Sequence, residues 1–125
     1  MSELYNKLTE TCQKLGFKVK EADDNSITIC FQMHIIHICF NEKSANDCTV
    51  LTAVLTEVED EARLQMLEHC NTLNERLKHF KYYLSKSSVL ATNDFRFNDD
   101  DELAFQLEYA VRSVSQARTV YKRDD

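Results

Sequence analysis

Four side chains able to hold a soft metal crowd one stretch of the sequence: Cys30, His34, His37 and Cys39. Thiolate and imidazole are the usual zinc ligands, but structural zinc sites commonly pair them two residues apart, and no pair here has that spacing. On an extended chain His34 and His37 point to opposite faces, while His37 and Cys39 share one. A thiol and an imidazole on a half-buried strand is the plainer reading. A cysteine nucleophile with His34, His69 or His79 as base is formally available, yet the local signatures that accompany such nucleophiles are missing. The acids Asp99 to Glu102 lack the glycine and distal glutamate of a calcium loop, and helix capping accounts for them. Asn71 and Asn74, three apart on an otherwise apolar helix, share a face. Either that face is exposed, or one asparagine turns inward and bonds the backbone of a strand, a structural role. These readings predict no catalytic residue, no metal and no cofactor.

Composition narrows the function further. The chain has 125 residues, one glycine (Gly16) and no proline, where average usage would give about nine and about six. Phosphate-cradling loops, dinucleotide fingerprints and nucleophile elbows all need glycine at set offsets, so none is expected. Left-handed turn positions should then fall to Asn and Asp, in Asp23-Asp24-Asn25-Ser26, Ser44-Ala45-Asn46-Asp47 and Asn98-Asp99-Asp100. A net charge of -6 argues against nucleic acid as a partner. The small basic group Arg76, Lys78 and Lys81 suits the negative end of a helix dipole. Five cysteines without paired spacing read as free thiols. With no signal peptide and no apolar run of membrane-spanning length, the expectation is a cytoplasmic protein without membrane contact, formed as a single domain over residues 1–125.

The elements that position these residues centre on Ser26 to Val58. There Ile27, Ile29, Phe31, then Ile36, Ile38, Phe40, then Val50, Thr52, Val54 recur at every second position, the signature of three strands. Before them, residues 2 to 15 predict a helix capped by Ser2, with Leu4, Leu8, Cys12 and Leu15 as its stripe and Gly16 at its left-handed end. A short edge strand begins at Phe17 and carries Lys18 and Lys20. After the sheet, Glu59 to Leu77 predicts a helix with the stripe Ala62, Met66, Cys70, Leu73, Leu77, widened by Leu64 and Leu67. His79 to Leu84 and Val89 to Phe97 predict a hairpin, with a bulge or frayed middle at Asn93 and Asp94. A last helix runs from Asp99 to about Tyr121. The order helix, three or four strands, helix, two strands, helix defines an α+β fold, an antiparallel sheet with helices packed on it.

Two of these strands are apolar on both sides. Opposite the core face lie Ile35, His37 and Cys39, then Leu51, Ala53 and Leu55, and a strand apolar on both sides is normally covered on both. With helices on one face only, the cover for the second is a partner or dimer subunit, which makes these six residues the candidate surface.

Leu73-Asn74-Glu75-Arg76-Leu77-Lys78-His79-Phe80-Lys81-Tyr82-Tyr83-Leu84, an asparagine-bearing helix running into a basic, aromatic strand and then a hairpin and final helix, resembles the YbjN-like family. The resemblance implies the fold of class I type III secretion chaperones, a non-enzymatic cytosolic protein that is often a homodimer, and relatives that bind unfolded segments of client proteins on apolar patches. It implies no catalytic residues. The leading expectation is a non-catalytic module that binds a peptide or partner protein. The rival is a small enzyme or ligand-binding domain with a pocket near His37 and Cys39, which would require convergent polar groups there.

Overall fold

The computed structural model describes residues 3–41, 43 and 46–123. In chain order these form α1 (Glu3–Leu15), β1 (Lys18–Ala22), β2 (Ser26–Phe31), β3 (His34–Phe40), β4 (Asp47–Leu55), a 3-10 turn (Asp60–Ala62), α2 (Arg63–Arg76), β5 (Lys81–Ser85), β6 (Ser88–Arg96), α3 (Asp100–Val114) and α4 (Ala117–Arg123). Among the described residues the strands make one antiparallel sheet of six, in the order β1-β2-β3-β4-β6-β5. It is the α+β architecture expected from the element order. Ser2 and the Ser44-Ala45 part of the expected turn lie outside the described residues.

The period of two is explained by one wet and one dry face. Ile27, Ile29, Ile36, Ile38, Val50, Val89 and Ala91 are all fully buried, on the face where the helices lie. Leu4, Leu8 and Cys12 of α1 and Leu103, Leu107, Ala110, Val111 and Val114 of α3 supply the opposing layer. Gly16 closes α1 with φ +78°; Phe17 N–H donates to the Cys12 carbonyl at 2.9 Å and Gly16 N–H to the Gln13 carbonyl at 3.1 Å, the Schellman pattern. At the other end of the chain Asp99 caps α3, accepting the Glu102 N–H at 2.8 Å.

Four expectations are corrected. Left-handed positions fall on Gln32, Met33, Glu57 and Lys86 as well as Gly16, and on no Asn or Asp among the described residues. At Gln32-Met33 the two-residue loop joining Phe31 to His34 demands positive φ at both central positions, so hairpin geometry overrides residue preference. Asn93 and Asp94 pair in continuous register with Val50 and Thr49, and the irregularity lies between Ala53 and Leu55 instead. Side-chain bonds account for this: Asn93 donates to the His79 carbonyl at 2.6 Å and Thr49 Oγ1 donates to Asp94. Leu64 and Leu67 do not widen the buried stripe of α2; they are 68% and 42% exposed. The final helix is broken at Ser115-Gln116, where the Ser115 hydroxyl donates to the Arg112 carbonyl at 2.7 Å, the local competition that disfavours serine inside helices.

Candidate partner-binding face

Alternation that buries Ile36 and Ile38 must turn Ile35, His37 and Cys39 outward, and among the described residues no helix lies on that outward face. Register brings the strands' outward residues into rows. Thr28 stands opposite His37 and His37 opposite Leu51, while Leu51 faces Thr92 and Thr92 faces Lys81. In the neighbouring row Cys30 faces Ile35, Ala53 faces Leu90 and Leu90 faces Tyr83. Ile35 is 39% and Tyr83 42% exposed, and Cys30, Ala53, Leu51 and Leu90 are half-buried. Towards one end the face turns polar, with Asp94 held by Thr49 and Arg96 Nε 2.8 Å from Asp47 Oδ1.

Five of the six expected surface residues therefore share this face: Ile35, His37, Cys39, Leu51 and Ala53. Leu55 stands apart, because the irregularity after Ala53 sets it opposite Val89 and packs it against the buried core. Cys30, Leu90 and Tyr83 join the face without having been singled out from sequence. The signal was present in their phase, opposite to buried Ile29, Val89 and Tyr82 respectively.

Several polar groups here are tied across the strands of the sheet. His37 Nδ1 is 3.0 Å from Thr28 Oγ1. It borders a hollow of about 560 Å³ with Glu21, Ala22, Asp23, Ser26 and Thr28, whereas Cys39 borders a different one of about 260 Å³ with Asn41, Asp47 and Thr49. The two residues named for a pocket thus border different hollows. Burial, then the nearby Asp23 carboxylate, pushes the Cys39 thiol up; the Asn25 and Ser26 N–H groups hold Asp23 itself low, at 2.8 and 2.9 Å.

All five cysteines are free thiols. Burial pushes Cys12 and Cys48 up to about 12, and raises Cys70 as well. A nucleophile needs its thiolate, and these environments disfavour it. His34 lies across the sheet from His37, lining a hollow of about 500 Å³ with Phe31, Arg112, Gln116 and Thr119. Among the described residues no three acidic, cysteine or histidine side chains stand together as a metal site would need. Asn74, unlike Asn71, turns inward. Its side-chain nitrogen donates to the Tyr82 carbonyl and its oxygen accepts the Tyr82 N–H, both at 2.8 Å. The Lys81 ammonium in turn donates to the Asn74 and Leu77 carbonyls at the end of α2. No helix among the described residues is long and apolar enough to cross a membrane.

A helix, a four-strand meander, a second helix, a hairpin and a final helical segment over one antiparallel sheet define the secretion-chaperone-like α+β class. More particularly, the chain belongs to the family described as T3SS (YopN, CesT) and YbjN peptide-binding chaperone 1, whose model matches residues 3–123. Similar solved structures include YbjN from E. coli, with TM-score 0.68 and 13% identity over 93% of this chain and 87% of that one. The Yersinia pestis type III secretion chaperone SycH, in complex with a stable fragment of YscM2, gives TM-score 0.61 and 13% identity over 94% and 98%. The Pseudomonas aeruginosa ExoU-SpcU heterodimer gives 0.55 and 9% over 88% and 93%. At such identities the likeness is one of fold. No curated protein matches.

Proposed function

We propose that this protein is a non-catalytic, cytoplasmic binding module that works as a homodimer and holds an extended segment of a partner protein against the helix-free face of its sheet. The observation that carries the reading is the aliphatic and aromatic row Cys30, Ile35, Ala53, Leu90 and Tyr83, next to His37 and Leu51, left open while the centre of the opposite face is buried under the helices. Apolar surface of this kind gains about 25 cal/mol for each Å² removed from water, and an extended peptide with alternating apolar side chains matches its pleat. Family membership supports the same reading, as do two relatives of this fold solved with protein partners.

The experiment uses reduced, carboxymethylated α-lactalbumin, a permanently unfolded chain, in an NMR titration of the isotopically labelled protein. Shifts should concentrate at Cys30, Ile35, Leu51, Ala53 and Leu90, and Ile35→Lys with Leu51→Lys should weaken binding at least about tenfold at unchanged far-UV circular dichroism. Binding that survives the double variant, or that maps to the helices, would overturn the reading. Light scattering on the same samples settles the homodimer, expected at twice the chain mass.

A further inference from the structure

The two edges of the sheet are protected in different ways. Strand β1 carries exposed Lys18, Lys20 and Glu21, and its register with β2 is broken between Val19 and Glu21. Charge and a bulge are the usual defences of an edge that would otherwise pair with another chain. At the opposite edge β5 has neither. Its register with β6 runs unbroken from Lys81 to Ser85, Tyr82 is buried, and its only charge, Lys81, is turned to the carbonyls at the end of α2.

What β5 has instead is Asn74. A residue in a hydrogen-bonded antiparallel pair exchanges both its N–H and its carbonyl with the residue opposite. The Asn74 side-chain amide makes the same two bonds to Tyr82, each at 2.8 Å. Both Tyr82 groups point away from β6, so the amide occupies the place a seventh strand would take. Tyr82 is the second of five residues in β5, and alternation leaves Leu84 as the strand's other outward-pairing position, too little for an added strand once Tyr82 is taken.

We propose that Asn74 is an edge guard, a one-residue substitute for a neighbouring strand that keeps β5 from pairing with the β5 edge of a second copy of this chain. The inference does not depend on what binds the open sheet face, since it concerns backbone groups at the rim.

The test compares Asn74→Ala with Asn74→Lys by light scattering over a range of concentrations and by hydrogen exchange of the Tyr82 amide. Both variants lose the paired bonds, so both should exchange that amide about tenfold faster or more. Only the alanine variant should gain mass above the parent protein as concentration rises, because lysine keeps the rim charged. An alanine variant of parental mass and native circular dichroism would overturn the proposal. So would equal association of both variants, which would mean general loosening. Rapid exchange of the Tyr82 amide in the parent protein overturns it without any variant.

Discussion

One strand, β3, presents the molecule's two environments at adjacent residues. Ile36 and Ile38 are completely buried under the helices, and Ile35 between the turn and Ile36 is 39% exposed on the open face. The same aliphatic side chain is packed away on one side and left partly in water on the other. An isoleucine left half in water costs little and gains little until something covers it, which is how an open sheet face differs from a core.

The comparison breaks most directly with paired substitutions. Ile38→Ala should cost about 2 to 5 kcal/mol in urea denaturation, transfer and cavity terms together, and Ile35→Ala less than about 1 kcal/mol. Equal losses would mean that the outer face is as structural as the inner one. A smaller effect comes from the thiols behind the dry face. Cys12 and Cys48 are pushed up to about 12 in the folded protein, so as pH rises past the unfolded thiol value, near 8.5, the unfolded chain gives up its protons first. Stability should then fall between pH 8.5 and 12, by about 1 kcal/mol per thiol at pH 9.5, and Cys48→Ala should flatten that slope. A slope unchanged by the variant would place the effect elsewhere. Smallest is the hairpin tip. Gln32→Asn with Met33→Gly supplies the residues its left-handed turn prefers and should raise stability by about 1 kcal/mol, read as a higher melting temperature.

How far the sequence could be read depends on whether a position answers to its own neighbours or to distant ones. Ile27, Ile29, Ile36 and Ile38 declare their face by alternation, and α3 declares its stripe from Leu103 to Val114. Gly16 declares the end of α1 in the same local way. The misread positions are those where geometry is imposed from afar. Gln32 and Met33 are left-handed because β2 and β3 meet through two residues, which composition could not reveal. Asp94 stays in register because Thr49, on another strand, binds it. Leu64 and Leu67 fit the helical period yet face water, since α2 leans on β5 and the last helix through its other side, with Cys70 and Leu73. For the candidate surface, phase alone placed Ile35, His37, Cys39, Leu51 and Ala53 together, whereas Leu55 was misplaced by an irregularity visible only from the pairing with β6.

The strand order has one more implication. Every pairing in the sheet joins strands consecutive in the chain except β4 with β6, which are separated by α2 and β5. The molecule is therefore two locally closing pieces, a four-strand meander and a hairpin, sewn along one long-range seam. Among the strand pairings this seam closes the longest loop, so its formation is expected to limit the rate at which the sheet assembles. With no proline in the chain there is no slow isomerisation to mask it, and refolding should follow a single exponential whose rate responds most to changes along β4 and β6.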